Sequence, residues 1–219
     1  MNKKTQLTEK IERCKRVVSE LKALYPDAIC SLEYDSPLHL LISVRLSAQC
    51  TDKRVNMVTP ALFEAFPTLD DLCDAEVEAI EHFIKPCGLF HTKARDIKNM
   101  CIDIRDRFGG SVPDNMDDLL TLHGVGRKTA NLIMGDVYGA PAIVADTHCI
   151  RISGRLGLTD STKDPLKVER QLLEVVAPEE SNALCHRFVL FGRDVCTARS
   201  PKCGDCPLSA FCPSAQSNQ

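Results

Sequence analysis

Four cysteines near the C-terminal end, Cys196, Cys203, Cys206 and Cys212, fall within seventeen residues as C-x6-C-x2-C-x5-C. Four thiolates in such a cluster suit a soft metal centre, either zinc or an iron–sulfur cluster. Zinc sites more often join two short C-x-x-C knuckles. This segment has one C-x-x-C flanked by wider gaps, and spacing alone leaves both metals open. Disulfides do not suit a reducing compartment. The other eight cysteines are scattered, often among apolar residues, and read as small buried hydrophobes.

A second group lies upstream, in "DLLTLHGVGRKTA", residues 118–130. Gly124 and Gly126 flank Val125 after His123, and a helix is expected to begin near Arg127. Two glycines two apart permit a tight hairpin with dihedrals closed to other residues. Backbone N–H groups at the start of the next helix make an anion site suited to phosphate. Such contacts hold a nucleic-acid backbone without reading its sequence. A short helix–helix turn is the plainer use of G-x-G, but Arg127 and Lys128 follow at once. Lys128 sits in the first helical turn, where the macrodipole disfavours a cation and favours a neutral, nucleophilic amine. A solvated lysine, or one touching phosphate, fits the same position. Eighteen residues on, Asp146 opens "DTHCIRISGRLG". It reads as a helix N-cap, or as a carboxylate that accepts a proton or stabilises developing positive charge.

The elements that must position these residues read as helices. Apolar residues recur at three- and four-residue spacing over 8–24, 37–48, 52–65, 75–84, 90–107, 114–121, 127–138, 147–156, 165–176 and 179–191. Thr8, Ser36 and Asp52 read as N-caps, and Pro37 and Pro165 stand at first turns. Pro60 is expected to kink or split its helix, and Gly109-Gly110 to end another. "PAIVAD" is the one β-like run. The fold class is all-α. The last residues, "SAQSNQ", read as frayed.

With 27 Lys and Arg against 30 Asp and Glu, the net charge of −3 does not announce a nucleic-acid binder. The charges are segregated, however. Residues 64–81 hold seven acids and no Lys or Arg, while Lys93, Arg95, Lys98, Arg105 and Arg107 form a basic stretch. Solvated helix faces or a cationic binding face both fit. The N-terminal "MNKKTQLTEKIERCKRVV" lacks an apolar signal core, and no run reaches the roughly 18 apolar residues of a membrane span. A soluble, intracellular, cytoplasmic protein without a membrane partner is expected.

Taken together, "LHGVGRKTAN", "VADTHCIRI", the cysteine spacing, "LISVRLSAQCTDKRVN" and "PCGLFHTKARDI" resemble, in order, segments of the endonuclease III family of DNA glycosylases. The resemblance runs from about residue 30 to 212. It implies two helical lobes: a six-helix barrel over 30–140 ending in a helix-hairpin-helix, and an iron–sulfur domain of 1–29 plus 141–219. It implies a [4Fe-4S] cluster on the four tail cysteines, clamping a basic loop with Arg193, Arg199 and Lys202 toward DNA. It implies that Lys128 attacks C1′ of the sugar, displaces an oxidised pyrimidine and forms a Schiff base, with Asp146 as the catalytic carboxylate. β-Elimination then breaks the strand 3′ to the lesion. The adenine and thymine-mismatch branches lack this lysine. The partner implied is duplex DNA with damaged bases or abasic sites, met by a monomer.

A stacked base hides C1′, so the nucleotide must flip out, into the cleft between the lobes on this reading. By family position Gln49 hydrogen-bonds the orphaned base and Leu89 wedges into the stack. Read alone, Gln49 is a polar helix end and Leu89 a core leucine. His123, Gly124, Val125, Gly126, Arg127, Thr147 and His148 complete the expected DNA contacts, with His148 also readable as a structural histidine. Members commonly have Pro where this chain has His123, a change that loosens the hairpin or adds a phosphate donor. Cys149 and Ile150 replace an aliphatic and an aromatic residue, which alters packing rather than chemistry. A non-catalytic damage-binding module of the same fold is the alternative function.

Overall fold

The computed structural model describes residues 3–216, and among them there are helices and no β-strand. Residues 217–219, part of the tail expected to fray, lie outside the described residues. The chain divides into two compact units, Cys30–Tyr138 and Met1–Ile29 with Gly139–Gln219.

The second unit starts with α1 (Lys3–Leu24). The helix begins before Thr8, so Thr8 is not its cap; its hydroxyl donates back to the Lys4 carbonyl at 3.0 Å. The unit resumes with α9 (Thr147–Arg155), α10 (Pro165–Leu173), α11 (Ser181–Asp194) and α12 (Pro213–Gln216). Pro165 occupies the first turn of α10 behind the Asp164 cap, as its sequence implies. The "PAIVAD" run forms no strand. Val17, Leu21, Ile152, Leu184, Phe188 and Phe191 are buried as α11 packs on α1 and α9.

The first unit comprises α2 (Pro37–Ser47), α3 (Asp52–Ala65), α4 (Leu69–Asp74), α5 (Val77–Ile84), α6 (Phe90–Phe108), α7 (Met116–Leu119) and α8 (Arg127–Asp136). Ser36 caps α2, accepting from the His39 amide at 3.2 Å. The cap of α3 is Thr51, not Asp52, which is the first helical residue. Pro60 does not split α3. It removes one backbone donor at an exposed position, and the remaining ladder carries the helix through. A capping box between Thr68 and Asp71 creates the short α4. Gly109 ends α6 at φ 61.

The core of this unit gathers Leu40, Leu41, Leu46, Leu62, Ile80, Ile84, Ile97, Met100 and Ile133 around α6, which packs on α2, α4 and α5. One side of α6 also carries polar residues that hold neighbouring turns: Lys93, Asp96, Asp103 and Arg107. Successive gaps of three, seven and four residues keep them on one helical stripe. The basic stretch expected at a surface is therefore partly internal. Lys93 is fully buried, Lys98 donates to the Ala75 carbonyl, and Arg105 and Arg107 pair with Asp74, Asp106 and Asp103.

Candidate functional site

The turn of residues 120–126 joins α7 to α8. Val125 donates its amide to the Leu122 carbonyl at 3.2 Å and buries its side chain in the core. Its side chain therefore anchors the turn. Gly124 has φ 71. A Cβ there would stand 2.9 Å from Arg45 Nε and 3.0 Å from Asp96 Cβ. Those two residues form an ion pair under the turn, with Nη2 to Oδ2 at 2.6 Å. Gly126, at φ −101 and ψ 174, has an extended backbone open to any residue. Only Gly124 thus needs glycine for its dihedrals, contrary to the expectation for both. A Cβ on Gly126 would meet nothing within 4 Å. As N-cap of α8 it supplies no side-chain acceptor, so the first amides of α8 keep their anion-binding capacity.

His123 does not loosen the hairpin. Its ring Nδ1 lies 2.6 Å from Asp103 Oδ2, and its amide donates to the same oxygen at 3.2 Å. Burial pushes the Asp103 carboxyl up, but hydrogen bonds from His123 and Arg107 pull it below the usual carboxylate range. Arg107 Nη2 also donates to Thr121 Oγ1 at 2.8 Å. The stripe on α6 therefore holds the hairpin at three points. Arg127 and Lys128 are exposed. Among the described residues of its unit, the Lys128 ammonium has no hydrogen bond or ion pair. A nucleophilic amine needs that freedom.

Gln49 and Leu89 are exposed and adopt left-handed backbone, at φ 56 and φ 49. Leu89 is 57% exposed, so it is not a core leucine. Non-glycine residues in this region cost about 1–3 kcal/mol and gather at functional sites. Both turns hang on Lys93, whose place in a basic stretch implies surface charge. Its Nζ donates to the carbonyls of Leu46 at 2.8 Å and Cys87 at 2.9 Å. Burial lowers the Lys93 ammonium from its ordinary range, although the Cys87 and Cys50 thiols counteract this.

In the other unit, Asp146 is the N-cap of α9, and its Oδ1 accepts from the Cys149 amide at 2.7 Å. Thr147 is exposed and gives its carbonyl to Arg151 Nη1 at 3.3 Å. His148 Nδ1 accepts from Arg151 Nη2 at 3.2 Å, and the His148 ring packs where Gly192 has no Cβ. Cys149 is buried and hydrogen-bonds Cys185, which first, ahead of burial, raises its thiol well above the ordinary range. Arg151 and Arg155, which the sequence marks as part of a basic stretch, have the i, i+4 spacing that places them on one helix face. Arg151 donates to the Cys196 carbonyl through Nε at 3.2 Å and Nη2 at 3.0 Å. Arg155 donates to Cys196 Sγ at 3.3 Å and to the carbonyls of Thr197 and Ala198 at 2.7 and 2.8 Å.

Cys196, Cys203, Cys206 and Cys212 are half-buried free thiols that line one cavity of about 210 Å³. Leu156, Phe191, Val195 and Leu208 form its apolar wall, and Arg155, Arg199 and Lys202 add positive charge. Burial pushes the Cys206 thiol up, Leu208 hydrogen bonding opposes this, and the other three thiols push it up again. Zinc draws its thiolates to about 2.3 Å from one ion. Among the described residues no three His, Cys, Asp or Glu side chains are grouped for a single ion. Four sulfurs arranged around a volume, with cationic neighbours, fit a polynuclear iron–sulfur cluster.

Residues 42–178 match the family model described as HhH-GPD superfamily base excision DNA repair protein, and residues 196–212 match the iron–sulfur binding domain of endonuclease III. The chain is 45% identical over 215 residues to endonuclease III of Synechocystis sp., covering 97% of each chain. It is 39% identical to endonuclease III of Bacillus subtilis, covering 95% of this chain and 94% of the relative. A solved structure of a trapped endonuclease III–DNA covalent intermediate superposes with a TM-score of 0.89 at 40% identity, covering 95% and 98% of the two chains.

Proposed function

The chain belongs to the endonuclease III family of base excision DNA repair proteins, and on that footing we propose which of its residues carry the reaction. It is a DNA glycosylase with AP lyase activity that carries a [4Fe-4S] cluster. Its substrate on this reading is duplex DNA with an oxidised pyrimidine or an abasic site.

Lys128 is the nucleophile. The observation that carries this assignment is an exposed amine in the first turn of a helix whose cap is bare. The α8 amides and Arg127 hold a backbone phosphate beside it, and the absent Gly126 side chain leaves room for that phosphate. Lys128 Nζ attacks C1′ of the flipped nucleotide and displaces the base. Loss of the ring oxygen's bond to C1′ gives a Schiff base, and abstraction of a C2′ proton expels the 3′ phosphate. Asp146 commits one oxygen to the Cys149 amide, which fixes the carboxylate's orientation. The other oxygen takes up a proton or faces positive charge developing on the sugar. Gln49 and Leu89 fill the gap left by the flipped base. Thr147 and His148 contribute to the DNA contact surface.

Cys196, Cys203, Cys206 and Cys212 hold the cluster, whose chemistry here is to clamp the loop that bears Arg199 and Lys202 for DNA phosphates. The helical domain of 30–140 and the iron–sulfur domain of 1–29 plus 141–219 are the corresponding functional divisions. No helix among the described residues is long and apolar enough to cross a membrane. A monomer acting on DNA in the cytoplasm agrees with the bacterial relatives.

A duplex with one oxidised pyrimidine tests the reading. Wild-type protein is expected to release the base and cut 3′ to it, while Lys128→Ala binds without release. Base release by Lys128→Ala at the wild-type rate would refute the nucleophile. Wild-type binding without turnover would instead identify a damage-binding module.

A further inference from the structure

The Gln49 and Leu89 turns share one buried cation, Lys93, which none of the assigned roles uses. Its ammonium donates to the Leu46 carbonyl at 2.8 Å and to the Cys87 carbonyl at 2.9 Å. Leu46 lies in the last turn of α2, where carbonyls lack an intrahelical partner and a cation is favoured. Gln49 comes next, inside a turn closed by the Cys50 amide on the Ser47 carbonyl at 3.0 Å. Cys87 ends the 3-10 turn Lys85–Cys87, and Gly88 and Leu89 follow it with φ 68 and φ 49. Lys93 also donates its own amide to the Leu89 carbonyl at 3.0 Å as α6 begins. A single residue thus reaches into both turns, from a position where it, Leu46 and Cys87 are all buried. Left-handed backbone at a non-glycine residue persists only where its surroundings over-determine it. Lys93 supplies that constraint to both Gln49 and Leu89.

We propose that Lys93 is a positioning residue for nucleotide flipping: its one ammonium fixes the Gln49 and Leu89 turns to each other, so the pair enters the duplex as a unit. The proposal rests on the gap-filling reading of that pair. Filling the space of one flipped base needs a hydrogen-bonding group and an apolar wedge at a set separation. Gln49 and Leu89 leave different helical elements, and each is exposed, so their own packing does not set that separation. Two carbonyls bonded to the same nitrogen do set it. Without the ammonium, both buried carbonyls lose a donor and turn toward water, and the strained backbone beside each relaxes. A misplacement of about 1 Å at a reacting site can cost about 100-fold in rate. Lys93 is fully buried and so acts through these turns rather than by touching DNA.

Lys93→Met keeps the apolar stem and removes the donors. The full chain with its cluster would be assayed for excision from a duplex with one oxidised pyrimidine and for cleavage of the same duplex carrying a preformed abasic site. Excision should fall at least about tenfold. Cleavage at the abasic site, where no base pair has to be broken, should change by less than about threefold. In a variant already carrying Gln49→Ala and Leu89→Ala, adding Lys93→Met should cost less than about twofold more, because its effect runs through those residues. Wild-type excision by Lys93→Met overturns the proposal. So does an equal loss of both activities, or a full further loss in the Gln49→Ala, Leu89→Ala background. Should Lys93→Met not fold, Lys93→Gln, whose shorter side chain still offers an amide donor, carries the same expectations. Wild-type excision by the Gln49→Ala, Leu89→Ala variant defeats the gap-filling reading itself. An impaired variant of that kind beside a normal Lys93→Met defeats the role of Lys93 alone.

Discussion

Helices α8 and α9 both begin beside a residue assigned to the chemistry, yet their first turns are built in opposite ways. The α8 start is open: Gly126 caps it with no side chain, and Lys128 is exposed. The α9 start is closed: Asp146 accepts the Cys149 amide, and Arg151 and Arg155 tie the helix to the cysteine loop. An open start leaves amides and an amine available to an anionic, electrophilic sugar–phosphate. A closed start holds a carboxylate in one orientation. On the proposed mechanism the contrast separates a group that must form a bond from one that must stay in place.

The largest effect expected from breaking this contrast is at Asp146. Asn caps a helix as well as Asp does, so Asp146→Asn should leave the melting temperature unchanged. Base excision should drop about 100-fold or more, because the charge is lost, with DNA binding retained. Activity assays alongside melts check this, and a large fall in melting temperature would make Asp146 mainly structural. Next, Arg155→Ala removes three hydrogen bonds to the cysteine loop and should weaken it by about 3 kcal/mol. The reading is faster loss of the cluster's visible absorbance under chelator. The two glycines differ in the same spirit. Gly124→Ala meets both a positive φ and the Arg45–Asp96 pair, and should cost about 2 kcal/mol. Gly126→Ala should fold normally and bind DNA more weakly, because its methyl enters the phosphate space. Denaturant melts and binding titrations separate these two outcomes.

The smallest effect is at Asp103. Its folded carboxyl lies below the usual range, so its stabilisation is present above the unfolded value and lost as pH falls through the folded value. Asp103→Asn should cost about 1 kcal/mol at neutral pH. Its melting curve should begin to approach the wild-type curve below roughly pH 4 and meet it only below the folded carboxyl's depressed value. A constant gap from neutral to acid pH would show that the carboxylate's charge does not support the hairpin.

Local chemistry made much of the fold legible. Ser36-Pro37, Asp164-Pro165 and Gly109 mark helix ends because a cap is decided by two or three neighbours. Adjacent candidates blur this, as Thr51 and Asp52 do, and a hydroxyl that bonds back to a carbonyl can imitate a cap, as Thr8 does. The six-residue α4 is too short for periodicity to reveal, although Thr68 and Asp71 spell its capping box. At the candidate site, the motif residues could be named from spacing, but their supports could not. The Asp103–His123 tie spans twenty residues and the Arg155–Cys196 contact forty-one. Burial of Lys93 likewise depends on helices that only the fold brings together.

On the proposed mechanism the open helix start presents Lys128 as the bond-forming amine. Borohydride reduction of wild-type protein on abasic duplex DNA, followed by digestion and mass mapping of the DNA-linked peptide, tests it directly. The sugar remnant is expected on Lys128 Nζ. An adduct on another lysine, or DNA binding without any adduct, would contradict it.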